Sequence, residues 1–432
     1  MIRLFKKSLI LLFTPSIAGF LVFHGNFSHA QEAVPGTTTT SPSASREGVP
    51  ARLPYVERMQ EVPVTYFNQM DRRASSVRST VNPQHRPGAL PGADPAQRVI
   101  QDSGSSRNWG TTFLEHSTAA VGGSIPKLNN ALAAVPSTSP YNRSGKLYMV
   151  FSNGWGSCTA SLVGKGVLVT AAHCLATYQG GPNSIAKQIF FVPSQYQEKG
   201  AGTPTKANTN IAGPYGSWEA SKWITPTCYT STAGCQQQFN GVVGSNDIAI
   251  VLLKRNASNQ LPWAAGIGYY GYGWNGFGWG SGSWTTLTQI GYPGALGVNS
   301  TNRGVSMIRT DSPSYNCYSG NNTDCPQKIH YWGSQQTPGC SGGPNIINFG
   351  NQPSIVAPAT VGSFPNPNIV TGATSFGNFS IQRLGSSYFG QTNNFPLANY
   401  TGGGRSWGAG NVGALLAQAC GPEGGQAAGQ CR

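Results

Sequence analysis

Charge is scarce in this 432-residue chain: 10% of it is Asp, Glu, Lys or Arg, and the acidic residues number only 14. Together with 57 Gly and 30 Pro, that scarcity suits an all-β, loop-rich extracellular protein better than a helical cytosolic one. None of the nine cysteines forms a Cys-x-x-Cys pair, so the usual spacing of a zinc site is missing and neither metal nor organic cofactor is expected. The odd count leaves at least one thiol outside any pair within the chain. Runs of five or six basic residues are absent too. The formal charge of +14 is scattered, so it reads as solubility and affinity for a wall or membrane surface, with no nucleic acid expected as a partner. Past the first 30 residues no apolar run is long enough to cross a bilayer.

What is present begins with an export signal. Arg3, Lys6 and Lys7 precede an apolar stretch from Leu9 to Phe23, and Ser28-His29-Ala30 supplies small residues before Gln31. Pro15 and Gly19 interrupt the stretch, which argues against an uncleaved anchor. Residues 1–30 are therefore expected to be a signal peptide. The protein is expected to be secreted, extracellular or periplasmic, with no stable membrane insertion once the signal is gone. Residues 31–118 hold nine Arg, no Lys and no Cys, and show no sustained helical or strand period. They are expected to be a largely flexible pro-segment, followed by one domain over 119–432.

Within that domain, Lys146–Phe151, Cys158–Val163 and Gly166–Thr170 read as strands, the last two joined by a Gly164-Lys165 turn. The third strand runs directly into Thr170-Ala171-Ala172-His173-Cys174. Of six His, four fall in the signal or pro-segment, leaving His173 and His330 in the core. A neutral imidazole at a strand end is placed to take a proton from a hydroxyl. A Cys158–Cys174 disulfide would pin the His173 loop to the neighbouring strand. Asp247 opens the apolar run Ile248–Leu253, where a carboxylate is costly without a partner, and it can orient an imidazole by accepting its Nδ1–H. Ser341 sits in Thr337-Pro338-Gly339-Cys340-Ser341-Gly342-Gly343-Pro344, a glycine-rich turn that leaves backbone N–H groups exposed beside a hydroxyl. Gly339-x-Ser341-x-Gly343 also fits the nucleophile elbow of α/β-hydrolases, but that fold needs its His after the Ser, and the last His is His330.

Thr170-Ala171-Ala172-His173-Cys174, Asn246-Asp247-Ile248-Ala249 and Gly339-Cys340-Ser341-Gly342-Gly343-Pro344, in that order, resemble the chymotrypsin-like serine endopeptidases. Gly291-Tyr292-Pro293-Gly294 and Cys158-Thr159-Ala160-Ser161-Leu162-Val163 resemble the bacterial branch that includes glutamyl endopeptidases. The likeness spans about residues 140–380. It implies two six-stranded antiparallel β-barrels with the active site between them, one over about 140–262 and one over about 285–400. An aromatic, Gly-rich loop (265–284) would lie between them and a Gly-rich tail (401–432) after them. It implies His173 as general base, Asp247 as its orienter, Ser341 as nucleophile, and the N–H groups of Gly339 and Ser341 as the oxyanion hole. It also implies Ser375-Phe376-Gly377 as the edge that pairs with substrate backbone.

Departures from the resemblance matter as much. Cys340 stands where animal members of the family carry the Asp that receives a freed amino terminus, so that activation switch is not expected here. Gln335 replaces the Asp of trypsin-like members, and no His lies near Ser375 as in glutamyl-specific ones. The expected pocket is uncharged, lined by Gln335, Gln336 and Thr374. Proximity in sequence suggests Cys228–Cys235, Cys317–Cys325 and Cys420–Cys431 as further pairs, with Cys340 left over.

The expected function is a secreted serine endopeptidase made as a precursor, a monomer acting on a protein or peptide. The competing class is an adhesive or binding protein on an inactive protease scaffold, using the aromatics of 268–284. A third reading, an esterase on the same scaffold, shares the nucleophile.

Overall fold

Three short strands of the amino-terminal third are paired onto the protein core: β1 (Thr37–Thr40), β2 (Gln60–Glu61) and β3 (Ser117–Ala120). They come from a computed structural model that describes residues 34–43, 59–61, 116–121, 135–196, 214–235, 243–279, 284–297, 303–316, 329–350, 366–379, 382–422, 424–426 and 428–431. The expected signal peptide, most of the expected pro-segment, and Cys317 and Cys325 lie outside the described residues.

The first barrel is built by side chains that alternate along its strands. In β4 (Ser144–Phe151), Leu147, Met149 and Phe151 enter one buried cluster. Tyr148 and Val150 enter a second, with Phe190 and Val192. β4 pairs with β5 (Gly154–Leu162) on one side and β7 (Gln188–Pro193) on the other. β6 (Val167–Thr170) continues from β5, and β9 (Ala249–Leu253) from β6. β8 (Trp218–Pro226) then joins β7 to β9 and closes six antiparallel strands into a barrel. β9 is apolar at every position because both its faces are covered. Ala249, Val251 and Leu253 fill the barrel, while Ile250 and Leu252 face a separate cluster outside it. β1 adds to the outer edge of β8, four residues in antiparallel register from Thr37↔Pro226 to Thr40↔Trp223.

The second barrel follows the same plan. β14 (Pro344–Ile347), β11 (Trp284–Gly291), β12 (Ile308–Asn316), β13 (Ile329–Gly333), β16 (Arg383–Tyr388) and β15 (Ile369–Asn378) pair antiparallel in that order, and β15 returns to β14 to close six strands. Outside the closed ring, β3 pairs with β12, while β2 and β10 (Gly271–Tyr272) run parallel to β15. Residues 33–432 form one compact unit.

Two stretches outside the barrel strands pack onto the folded unit. The aromatic stretch between the barrels turns Tyr270 and Trp279 inward, both buried, while Trp274 is exposed. Tyr270 pairs its hydroxyl with Ser144 at 3.0 Å and donates to the carbonyl of Pro140 at 2.9 Å. The glycine-rich stretch after residue 400 forms a hairpin, β17 (Thr401–Gly402) with β18 (Arg405–Ser406), and then a helix over Gly410–Ala419. That helix is buried along nearly its whole surface, packing Val412, Leu415 and Leu416 against Ile224, Ile250 and Leu252 of the first barrel. Cys420–Cys431 ties its end, with Cα atoms 6.0 Å apart. Cys228–Cys235 forms as well. The described residues contain no helix long and apolar enough to cross a membrane.

Candidate active site

His173 is delivered by one helical turn, Ala172–Leu175, that starts where β6 ends. Four small or extended residues, Thr170–Ala172 and then His173, bring the imidazole out of the barrel wall. The Cys158–Cys174 disulfide, Cα to Cα 6.1 Å, fastens this turn to β5. His173 Nδ1 lies 2.6 Å from Asp247 Oδ2, and the His173 backbone N–H donates to Asp247 Oδ1 at 2.8 Å. One carboxylate therefore holds both the ring and the backbone of the same residue, which fixes the imidazole's orientation. The Ser375 hydroxyl donates to Asp247 Oδ2 as a third bond. Asp247 is completely buried, and these bonds replace the water it has lost. His173 Nε2, the other ring nitrogen, is buried and has no hydrogen-bond partner among the described residues.

Side chains that the sequence did not single out hold the Asp247 loop. Ser387 Oγ accepts the Asp247 backbone N–H at 2.9 Å and donates to the Gly244 carbonyl at 2.6 Å. Asn411, in the first turn of the C-terminal helix, donates from Nδ2 to the carbonyls of Ser245 (2.8 Å) and Tyr388 (3.0 Å). Neither residue carries a local sequence signal. Both reach the loop across more than a hundred residues of chain.

Ser341 sits on a turn pinned from two sides. Gly342 N–H donates to the Thr374 carbonyl at 2.7 Å, and Thr374 N–H returns to the Gly343 carbonyl at 2.9 Å. From the first barrel, Thr159 N–H donates to the Ser341 carbonyl at 2.8 Å and Thr159 Oγ1 to the Gly339 carbonyl at 2.9 Å. The Thr159 carbonyl accepts from Thr170 Oγ1 at 2.8 Å, and Thr170 begins the His173 turn. A short chain of hydrogen bonds thus joins the serine turn to the imidazole turn. The approach is so close that only glycine fits at 342. Its φ is +75°, and an added Cβ would meet Thr170 Oγ1 at 2.0 Å and the Thr159 carbonyl at 2.4 Å. Gly339 also needs positive φ, +102°.

These residues come from both barrels, His173 and Asp247 at the ends of β6 and β9, Ser341 and Ser375 on the β14 turn and on β15, and the barrels are linked here by the Ser375–Asp247 and Thr159–Ser341 hydrogen bonds. The fold is that of the chymotrypsin-like serine proteases. Searches with family models and against curated proteins returned no match. Among solved structures, the chain is similar to protease Anisep from Arthrobacter nicotinovorans at 21% identity, covering 59% of this chain and 93% of that one, with a TM-score of 0.41. It is similar to the thermostable serine protease AL20 from an extremophilic microorganism at 18% identity, covering 58% and 92%, TM-score 0.40. It is also similar to a Glu endopeptidase at 15% identity, covering 63% and 90%, TM-score 0.38. The chymotrypsin-like fold is carried here by the strand pairing of the two closed barrels.

The expected pocket residues have different surroundings in this fold. Gln335 is exposed, its backbone N–H beside Thr118 Oγ1 at 3.5 Å. Gln336 is buried, with Nε2 donating to the Ile308 carbonyl (3.3 Å) and to Thr310 Oγ1 (3.1 Å). Thr374 is buried and accepts from Gln289 Nε2 at 3.3 Å. Phe376 is buried, and Gly377 pairs with Glu61 of β2. Cys340 is buried and in no disulfide. Among the described residues the one cluster of potential metal ligands is Cys158, His173 and Cys174, and its two thiols are consumed by the disulfide.

His330, the second core histidine, is not part of the cluster around Ser341. It stacks on Trp279 with ring centroids 4.0 Å apart, and neither ring nitrogen has a hydrogen-bond partner among the described residues. Burial pushes its pKa down from 6.5 to about 3, so it is neutral at ordinary pH.

Proposed function

We propose that this protein is a secreted serine endopeptidase, made as a precursor, that hydrolyses peptide bonds through an acyl-enzyme on Ser341. Ser341 Oγ attacks the scissile carbonyl while His173 Nε2 takes its proton. Asp247 holds the imidazole in the tautomer with the proton on Nδ1 and stabilises the imidazolium that forms. The N–H groups of Gly339 and Ser341 receive the oxyanion. His173 then returns its proton to the departing amine, and water releases the acyl group by the same steps in reverse.

The observation that supports this reading most is the double grip of Asp247 on His173, with Nε2 left over to take a proton. The substrate is a protein or peptide, the protein acts as a monomer outside the cytoplasm, and no nucleic acid or cofactor takes part.

The test is fluorophosphonate labelling and peptide hydrolysis by the processed, secreted protein, with Ser341→Ala and Cys340→Ser beside it. Labelling and hydrolysis lost in Ser341→Ala and kept in Cys340→Ser is the expected result. Loss in Cys340→Ser alone would move the nucleophile to the thiol. A processed parent that neither labels nor cleaves peptides would sink the peptidase reading.

A further inference from the structure

β15 carries an extra, two-residue neighbour at the point nearest the candidate site. β2 pairs parallel with it, Gln60 opposite Phe376 and Glu61 opposite Gly377. Those are the residues that follow Ser375, which itself bonds Asp247. The residue before β2, Met59, is half-buried and packs against an apolar cluster that includes Trp332, Cys340 and Leu384. Met59 Sδ lies 3.8 Å from the Sγ of Cys340, the residue preceding Ser341. Met59 Cε would be 3.4 Å from a Cβ placed on Gly377. A methionine side chain therefore lies between the serine turn and the β15 edge, and the next two residues pair with that edge.

We propose that Met59–Glu61 occupies the substrate cleft of this same protein as a self-inhibitory strand, and that the pocket beside Cys340 takes an unbranched apolar side chain of methionine size. This rests on the peptidase reading above and names the regulation and the substrate class of that site. Three features argue for it. An exposed sheet edge recruits an extended peptide through backbone bonds, with side-chain pockets supplying selectivity. A methyl thioether fills an irregular apolar gap well because it is flexible and polarisable. Met59 Sδ lies 3.8 Å from Cys340 Sγ, so the side chain is seated beside the serine turn. While the segment is docked, a substrate cannot add to the Phe376–Gly377 edge, so release of Met59–Glu61 is the step that opens the site.

The experiment uses the full chain and two readouts. In the Ser341→Ala background, where self-cleavage cannot confuse the result, amide hydrogen exchange is followed over Ser375–Asn378 with Met59 intact and with Met59→Asp. Exchange faster by tenfold or more in Met59→Asp is expected, and equal exchange overturns the docking. In the Ser341 background, fluorophosphonate labelling of full-length Met59→Asp is expected to be at least tenfold faster than that of the full-length parent. Equal labelling of both overturns the inhibition and leaves the serine peptidase reading intact. Absence of labelling in both, with faster exchange in Met59→Asp, keeps the docked strand and removes the peptidase. Cleavage of a peptide library by Met59→Asp should favour Met or norleucine at the scissile position, and a profile dominated by branched or charged residues overturns the pocket assignment.

Discussion

Asp247 is a buried carboxylate whose partners are the two nitrogens of His173 and the hydroxyl of Ser375. Replacing it with Asn leaves the volume unchanged but lets the amide present a donor to Nδ1, which favours the wrong imidazole tautomer. Asp247→Asn is expected to lower kcat by about 10⁴-fold, read from peptide hydrolysis, with the two barrels still folded by near-UV circular dichroism. His330 gives the other residue-scale expectation, and it concerns stability. Its pKa is near 3 in the folded protein against an ordinary 6.5. Above pH 6.5 it is neutral in both folded and unfolded chains, and its full contribution is present. Between 6.5 and 3 the unfolded chain takes up a proton that the folded one refuses, so stability falls as pH falls, by up to ~1.4 kcal/mol per pH unit. His330→Phe keeps the stack on Trp279 without the titration. Urea unfolding at pH 7 and pH 4.5 should show a smaller loss on acidification in His330→Phe than in the parent; an equal loss would refute the assignment.

At the scale of elements, the C-terminal helix is the piece whose importance is least apparent from composition. It closes the outside of the first barrel and lends Asn411 to the Asp247 loop. Asn411 is buried, accepts Gly390 N–H at 3.0 Å, and donates to Ser245 and Tyr388. Truncating it strands buried backbone groups on the 245 and 388–390 loops, each costing about 1–3 kcal/mol. Asn411→Ala is expected to lower the urea midpoint markedly and to reduce kcat more than it raises KM, because the loop it releases carries Asp247 and not a substrate contact. An unchanged kcat with lowered stability would confine Asn411 to a structural role. Legibility differed sharply between elements. Strands β4, β5, β6 and β9 were readable because each is largely buried, so the apolar pattern is written locally. The helix was not, because its glycines at 410 and 413 read as loop and only the surrounding apolar surface makes Val412–Ala419 worth coiling.

For the whole molecule, the question is which chain makes the folded unit. β1 lies within residues 31–118, the stretch whose composition suggests a flexible pro-segment, yet it forms an edge strand on β8, and Val34 N–H reaches Gln418 Oε1 at 2.8 Å. Four threonines in a row are good strand formers when an unsatisfied edge is offered to them, and proline-rich flanks hide that in the sequence. β3 likewise covers β12. A chain begun at residue 119 loses β1, β2 and half of β3, exposing the edges of β8 and β12. Its calorimetric melting temperature is expected to lie several degrees below that of a chain begun at residue 31; equal melting temperatures would mean that these strands contribute nothing to stability.

The sequence alone determined strands β4, β5, β6 and β9 and the order His173, Asp247, Ser341, because short-range apolar runs and three compact motifs are local properties. It suggested the 228–235 and 420–431 disulfides by proximity and the 158–174 disulfide as a pin for the His173 loop, and all three form. Tertiary structure decided the rest. Ser375, Ser387, Thr159 and Asn411 meet the site only because two barrels close against each other, and hydrogen bonds between residues a hundred or more positions apart leave no periodic mark. The environment of the pocket was likewise decided in three dimensions. Gln335 and Gln336 are adjacent in sequence, but one faces solvent and the other is buried against Ile308 and Thr310, since neighbouring residues on an extended chain point to opposite sides.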